Sequence, residues 1–376
     1  MLRVEKWFCA CIISLVSLFL TSQTLAQSQP HLLGEWYSGN YISLSQVRPT
    51  SNTLMIAGIY DTNFVEILDI SNPSAVRTLS RLQTKAMVWD IQCEKDLCYA
   101  AEMRYGLEIL DVHDLTAPKV VGRFIPDSLP LYLRVRDTLA FVGHEFDPLE
   151  ILSIKDPLHP RRISRTDTGR SYGFTLVGDS VYLPGTPLAQ DWCILDIKNP
   201  SKPRRVVSAM DTSYSSILRV DGKDIYAARS LSGLSVYHLD AQGKPKRMAE
   251  TNTSEIQSME LTDKGVFIGG WKGLYRFQYI SGRLEQTYQE PDLDVSKVVP
   301  AGDRMYVVCP TWPRWTLRTY SLSDQVSILQ PMPESRRAKM GEPTFTWGLL
   351  WSESPPISID GRHRPFKATT GYLKVP

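Results

Sequence analysis

A short apolar segment recurs through the chain and constrains its fold more than any other feature. The copies begin at Val65, Leu107, Leu149, Trp192, Leu234, Leu274 and Leu317, and the first reads Val-Glu-Ile-Leu-Asp-Ile. The fifth residue of each copy falls at position 69, 111, 153, 196, 238, 278 or 321, so the steps are 42, 42, 43, 42, 40 and 43 residues. A fixed period of this size indicates a repeat protein, in which each unit buries its apolar face against a neighbouring unit.

Each unit contains four short runs that are typical of β-strands. In the fifth unit the runs are Ser216–Val220, Ile225–Ala228, Leu234–Leu239 and Lys246–Glu250, and the hairpin dipeptide Asp221-Gly222 separates the first two. No segment after the N-terminus has the 3.6-residue period of an amphipathic helix. Four antiparallel strands per unit of about 42 residues predict an all-β fold, a β-propeller. Seven blades are favoured, and eight are an alternative because residues 357–360 weakly repeat the motif.

The third run of most units leads into a turn that contains proline. Examples are Asn72-Pro73, Asp156-Pro157 and Asn199-Pro200, and proline belongs between strands because it lacks a backbone donor. Together with Val65–Asp69, Leu107–Asp111 and Cys193–Asp196, these turns resemble the LVIVD-repeat family over roughly residues 40 to 330. The resemblance weakens after the fourth unit. It implies an exported β-propeller, and it implies no reaction because the family has no common catalytic motif.

The two ends of the chain differ from the repeat. Residues 1–26 have the pattern of a secretory signal: Arg3 and Lys6, then an apolar core, then small residues before a predicted cleavage after Ala26. The alternative is an uncleaved membrane anchor. The apolar core, residues 8–20, is shorter than the roughly 20 residues that span a membrane, so cleavage is favoured and we expect no membrane span in the mature chain. The propeller is predicted over residues 32–336, with a strand at residues 32–36 completing the last blade. Residues 337–376 are a C-terminal extension or a partial extra blade.

The four cysteines of the mature chain divide into a pair and two single residues. Cys93 and Cys98 bracket a predicted hairpin turn and are candidates for a disulfide in an oxidising compartment, or for two small apolar residues in strands. Cys193 and Cys309 lie in different units and are expected to be buried and unpaired.

Composition gives no reason to expect nucleic acid as a partner, because 42 basic and 40 acidic residues leave a net charge of +2. No catalytic motif, zinc spacing, phosphate loop or calcium loop is present, so no catalytic residue, metal site or cofactor is predicted.

In a four-stranded blade, the loops between the second and third strands and the loops between blades emerge at the same end. We call this end the loop face, and binding residues concentrate on such loops. The candidate ligand-binding residues are Arg104, Tyr105, His144, Glu145, Asp147, Trp271, Lys272, Trp312, Arg314 and Trp315. The cluster from His144 to Asp147 has the groups of a metal or acid–base site, although a solvated loop is the favoured interpretation. Trp312 and Trp315 form either a stacking platform or a cover for the central channel.

Two function hypotheses follow. The favoured one is an exported, non-enzymatic propeller that binds a protein or glycan at the cell envelope through its loop face. This protein would be periplasmic, at the cell surface or secreted. The alternative is a propeller enzyme, of the sugar or lactone hydrolysis or lyase type, with a metal at the central channel.

Overall fold

A computed structural model of the chain describes residues 29–38, 42–48, 53–58, 63–144, 147–166, 168, 171, 173–184, 191–210, 217–229, 233–253, 256–311 and 314–323. The predicted signal, residues 1–26, lies outside this part of the chain. Residues 337–376 do so as well, and the eight-blade alternative depends on them. The number of blades therefore stays a prediction.

The described residues form 28 strands and no helix. Strand β1 spans His31–Ser38. Sheet 1 comprises β2 (Ile42–Arg48), β3 (Thr53–Gly58), β4 (Phe64–Asp69) and β5 (Arg77–Gln83). Sheet 2 comprises β6 (Val88–Glu94), β7 (Leu97–Glu102), β8 (Gly106–Asp111) and β9 (Lys119–Phe124). Sheet 3 comprises β10 (Pro130–Arg136), β11 (Leu139–His144), β12 (Glu150–Ser153) and β13 (Arg161–Arg165).

The remaining sheets repeat this order. Sheet 4 comprises β14 (Thr175–Val177), β15 (Ser180–Leu183), β16 (Asp191–Asp196) and β17 (Arg204–Met210). Sheet 5 comprises β18 (Ile217–Asp221), β19 (Asp224–Arg229), β20 (Gly233–Leu239) and β21 (Pro245–Thr251). Sheet 6 comprises β22 (Ile256–Thr262), β23 (Gly265–Gly270), β24 (Gly273–Ile280) and β25 (Arg283–Pro291). Sheet 7 comprises β26 (Lys297–Ala301), β27 (Arg304–Thr311), β28 (Arg314–Ser321) and β1.

Strand β1 joins the two ends of the described chain. It pairs antiparallel with β28, from His31 opposite Ser321 to Ser38 opposite Trp315, and it forms the outer strand of sheet 7. The innermost strands of neighbouring sheets contact one another at six of the seven seams, including β26 of sheet 7 with β2 of sheet 1. Sheets 3 and 4 are joined by an apolar cluster that includes Phe141 and Phe174. The seven described sheets therefore form a closed ring in which each sheet packs on two neighbours, and the predicted all-β propeller architecture is confirmed.

Apolar clusters fill the spaces between neighbouring sheets. The cluster between sheets 1 and 2 contains Val65, Ile67, Val88 and Ile91, and equivalent clusters join each other adjacent pair, including sheets 7 and 1. A sheet that is covered on both faces needs apolar residues on both sides of its strands.

The repeated Ile-Leu pair of the third strand supplies these two sides. Ile109 packs towards sheet 3 and Leu110 towards sheet 1, while Ile67 packs towards sheet 2 and Leu68 towards sheet 7. Successive side chains of a strand point to opposite faces, so a pair of adjacent apolar residues bridges three sheets. This geometry explains why two adjacent residues of the motif are both apolar.

The proline turns dock each sheet on the preceding one. Asn72 Oδ1 accepts a hydrogen bond of 3.0 Å from the Ser74 amide, which tightens the turn. The turn of sheet 3 then lies so close to the outer strand of sheet 2 that a Cβ on Gly122 would stand 1.9 Å from the Pro157 carbonyl oxygen. At the equivalent place between sheets 3 and 4, Ser164 Oγ donates a hydrogen bond of 2.6 Å to the Pro200 carbonyl. A small residue in each of these outer strands is thus required by the next sheet's turn.

Candidate functional site

The loop face carries all four of the exposed aromatic side chains among the described residues. Trp89 lies at the start of β6, Tyr105 in the turn before β8, Trp271 in the turn before β24 and Tyr37 near the end of β1. Each of these positions is at the end of the ring where second strands end and first strands begin. The other exposed apolar side chains of the described residues are aliphatic, and among them Ile125 also reaches this face. Aromatic side chains are therefore concentrated on one end of the propeller.

Sheet 2 contributes three of these residues in a radial row. Trp89 belongs to the innermost strand, Tyr105 to the loop between the middle strands, and Ile125 follows the outer strand. Ile125 is 70% exposed. A cavity of about 410 Å³ lies beside the row, and its lining includes Arg104 and Ile125. We call Trp89, Tyr105 and Ile125 the sheet 2 row.

The sequence-predicted residues Arg104, Tyr105, Trp271 and Lys272 lie in exposed turns of the loop face. Arg104 has a positive φ of 65°, which the tight turn before β8 requires. The Lys272 carbonyl accepts a hydrogen bond of 2.8 Å from Tyr275 Oη, so the second turn is tied to its own strand. These turns hold their side chains outward on a rigid scaffold.

The prediction that His144 lies in a solvated loop is wrong. His144 ends β11 and is 0% exposed. Its amide donates to Ser171 Oγ at 2.8 Å, and its Nδ1 donates to the Leu129 carbonyl at 3.1 Å. Burial lowers the pKa of the imidazole below its usual value, so the ring is neutral at neutral pH. The reason for the burial is that β11 extends to the seam between sheets.

A buried carboxylate stands next to His144. Glu150 Oε1 lies 3.8 Å from His144 Nε2, and Glu150 Oε2 accepts from Arg162 Nε at 3.2 Å. Asp147 is at the surface and pairs with Arg165. Glu145 lies outside the described residues. The cluster is therefore a hydrogen-bonded support beneath the loop face, and its His144 and Glu150 side chains are closed to solvent.

The glutamates of the motif form a series that sequence reasoning missed. Glu66, Glu108 and Glu150 are buried, and each stands directly opposite an arginine of the outer strand, Arg81, Arg123 or Arg165. Glu66 pairs with Arg81 at 3.1 Å, and Glu108 pairs with Arg123. The constant spacing of 15 residues between glutamate and arginine in these three units is the signal that could have found them.

Trp315 forms neither a stacking platform nor a cover for the central channel, the two roles predicted for it and Trp312. It is partly buried on β28 and packs on the cluster between sheets 7 and 1, beside Phe64 and Tyr306. That seam lies away from the axis because it involves the middle strands. Trp312 lies outside the described residues, and Arg314 begins β28.

Charged residues surround the loop-face opening of the central channel, and sequence reasoning missed these as well. Arg134 Nη1 lies 3.1 Å from Asp90 Oδ2. Arg219 forms a two-point pair with Glu260, with bonds of 2.6 and 3.0 Å. Burial works to raise the pKa of Glu260, but the charge and hydrogen bonds of Arg219, together with the charges of Lys297 and Arg134, outweigh burial and keep that pKa below its usual value. Both carboxylates are therefore paired with an arginine.

Lys297 completes the charged ring at the start of β26. Its side chain lines the same opening of the channel as Asp90 and Arg134. Burial lowers the pKa of the Lys297 ammonium, and the charges of Asp90 and Glu260 oppose this only in part. Within the described part of the chain, no cluster of three His, Cys, Asp or Glu residues has the geometry to hold a metal ion.

Two further predictions concern cysteines and membrane spans. Cys93 and Cys98 form a disulfide across the β6–β7 hairpin, and Cys193 and Cys309 are buried and form no disulfide. The described residues include no helix with the length and apolarity to cross a membrane.

Comparisons with known proteins address the fold. The family model described as LVIVD repeat matches residues 58–84. No curated protein matches the sequence.

Solved structures of propellers are similar at low identity. The Cps50 (Swd1) β-propeller domain of Myceliophteria thermophila has a TM-score of 0.62 at 11% identity, covering 78% of this chain and 100% of that chain. A chain of a Mitotic Checkpoint Complex structure has a TM-score of 0.63 at 12% identity, covering 80% and 96%. BamB from Moraxella catarrhalis has a TM-score of 0.55 at 7% identity, covering 79% and 91%. At such identities the likeness shows the fold alone, and with the matched repeat it identifies the chain as a β-propeller that carries an LVIVD repeat.

Proposed function

We propose that this protein binds a protein partner through its loop face and that the sheet 2 row is the centre of the interface. The observation that carries the proposal is the segregation of exposed aromatic side chains. The four exposed aromatics of the described residues stand on the loop face, whereas most of the exposed aliphatic residues lie at the opposite end or on outer strands. Protein interfaces are enriched in Tyr, Trp and Arg relative to the remaining surface.

Charge and shape support a protein partner. Arg104 and Lys272 are exposed beside Tyr105 and Trp271, respectively. The cavity of about 410 Å³ next to Ile125 offers a depression for a side chain of the partner. Interface energy concentrates in such aromatic and arginine positions near well-packed depressions. The propeller fold commonly mediates protein binding, and one structural neighbour is part of a multiprotein complex.

We further propose that the protein acts outside the cytoplasm, at the cell envelope or beyond it. This part of the proposal rests on residues 1–26, which have the composition of a secretory signal. A glycan partner and the enzymatic alternative remain hypotheses of the sequence analysis, and the geometry of the described residues favours neither of them.

Photo-crosslinking in the source cell tests the interface. A photoreactive phenylalanine analogue is placed at Tyr105 or Ile125, and at Leu158 as the control. Leu158 is also exposed but lies in the proline turn of sheet 3, at the opposite end of the ring. We expect a discrete crosslinked protein from the two loop-face positions and none from the control position. The same pattern from all three positions, or no crosslink at all, would contradict the proposal.

The crosslinked protein is then purified and its affinity is measured. Trp89→Ala should weaken binding about 30-fold or more, because central aromatic residues contribute about 2 kcal/mol or more. Leu158→Ala should leave the affinity within twofold.

A further inference from the structure

We propose that the loop-face opening of the central channel binds a small, ring-shaped organic acid, with the carboxylate held by Lys297 and Arg134. This site goes beyond the proposed protein interface, and its test needs no protein partner. It is a cavity on the axis, formed by the innermost strands and the loops that precede them.

The cavity has the size of a small ligand. Its volume is about 290 Å³, near the lower end of the range for ligand sites. Its lining includes Trp89 and Tyr132 on two adjacent inner strands and Met259 and Lys297 on two others. Apolar and aromatic walls with a few convergent polar groups are typical of ligand pockets.

The two arginines at the opening, Arg219 and Arg134, differ in how many of their nitrogens are already hydrogen-bonded. Arg219 uses Nε and Nη2 on Glu260, and Nη1 on the Thr175 hydroxyl at 3.2 Å and the Leu218 carbonyl at 2.9 Å. All its nitrogens are engaged, so it has little capacity for a ligand. Arg134 uses Nη1 on Asp90 and on the Leu133 carbonyl, and its remaining nitrogens make no bond to the described residues.

The carboxylates of the ring are committed to neighbours. Asp90 Oδ1 accepts from the Ile91 amide at 3.0 Å, and Oδ2 accepts from the Leu133 amide at 3.0 Å and from Arg134. Glu260 is held by Arg219 at both oxygens. Among the described residues, no carboxylate lies within ion-pair distance of the Lys297 ammonium.

Charge balance then predicts the sign of the ligand. Among the described residues, Arg134, Arg219 and Lys297 lie close to two carboxylates, Asp90 and Glu260, which leaves one positive charge in excess. Burial already disfavours the Lys297 ammonium. A buried charge that gains a partner loses this penalty, so a single carboxylate would bind where the ammonium and Arg134 converge. Trp89 and Tyr132 offer faces on which a ring of the same ligand stacks.

Titration calorimetry of the full mature chain tests the site with two acids, glucuronate and benzoate. Glucose and benzyl alcohol, their uncharged counterparts, serve as controls on the wild-type protein. We expect at least one acid to bind and its uncharged counterpart to bind at least about tenfold more weakly, because a charge-assisted hydrogen bond supplies this difference. Absence of binding for both acids at millimolar concentration, or equal binding of acid and counterpart, would overturn the proposal.

Variants then assign the site to the channel. Lys297→Met keeps the length of the side chain and removes its charge, and it should lower the affinity for the acid about tenfold or more. The melting temperature without ligand should not fall, because the variant also removes a partly buried charge. Lys223→Met, in an exposed hairpin turn at the opposite end of the ring, is the control and should bind like the wild type. Equal loss of affinity in both variants, or no loss in Lys297→Met, would place the acid elsewhere and refute the site.

Discussion

The substitution Glu102→Gln tests the buried carboxyl pair beneath the loop face. Glu102 ends β7 and is 0% exposed, and Glu108 lies on the adjacent strand β8, opposite Ala100. Burial raises the pKa of Glu102 above its usual value of 4.5, and together with the nearby negative charge of Glu108 it brings this pKa to about 8. At neutral pH the folded protein therefore keeps a proton that the unfolded chain releases.

The sign and size of the effect follow from this difference in pKa. Between pH 4.5 and 8 the folded state binds more protons than the unfolded state, so the free energy of unfolding decreases as the pH rises. Each unit of pKa difference corresponds to about 1.4 kcal/mol. The full stability is present below pH 4.5, and a loss of the order of 5 kcal/mol is complete above pH 8. The substitution Glu102→Gln introduces a neutral amide, which removes this loss.

Urea unfolding at pH 5, 6, 7 and 8 measures the prediction. Wild type and Glu102→Gln should have similar midpoints at pH 5, and the variant should become progressively more stable than the wild type towards pH 8. His144 contributes in the opposite direction, because burial lowers its pKa and its stability contribution increases with pH. Since both proteins contain His144, the difference between them isolates Glu102.

A matched control keeps the same chemical change at the surface. Glu285→Gln alters an exposed carboxyl on β25 and should follow the wild-type pH profile. Parallel profiles for wild type and Glu102→Gln would refute the reasoning, and so would a variant that is less stable than the wild type at pH 8.

Two further predictions concern the sheet seams and the cysteines. Gly122→Ala should destabilise the protein by about 1–3 kcal/mol or more, because the new methyl group would overlap the Pro157 carbonyl oxygen. Ser164→Ala loses only the hydrogen bond to Pro200 and should lower the free energy of unfolding by about 1 kcal/mol. Urea unfolding measures both variants, and a midpoint for Gly122→Ala that is no lower than that for Ser164→Ala would contradict the seam geometry. Cys193 and Cys309 should react with a thiol reagent only after the protein is unfolded, because both are buried. Without reductant, the unfolded mature chain should show two reactive thiols, and four reactive thiols would mean that the hairpin disulfide is absent.

Much of the architecture could be predicted because its cause is local and repeated. The four-run units, the hairpin dipeptides and the proline turns depend on nearest-neighbour chemistry, and the period of about 42 residues then implies that identical units stack. The strand predicted at residues 32–36 reads Leu-Leu-Gly-Glu-Trp, which is similar to Val-Val-Gly-Arg-Phe at residues 120–124 in the outer strand of sheet 2. In the structure, the strand His31–Ser38 pairs with β28.

The surroundings of the site residues were harder to predict from the sequence, because a residue's exposure depends on neighbours that are distant in the chain. His144 looked like part of a polar loop but is buried by Ser171 and Leu129 at the seam between sheets 3 and 4. Trp315 looked like a surface aromatic but fills the seam between sheets 7 and 1. Arg104 and Trp271 were placed correctly in exposed turns because tight turns between strands have few neighbours to cover them.

By itself, the sequence determined the unit, its strand order and the face on which the variable loops emerge, since all three follow from residue type and period. Only the tertiary structure decided which side chains meet. Asp90, Arg134, Arg219, Glu260 and Lys297 come from five inner strands in different sheets. Their convergence on one channel depends on the closure of the ring and on the register of each strand. The physical reason is that contacts within a strand or hairpin are set locally, whereas contacts across the axis form only after every sheet has packed on its neighbours.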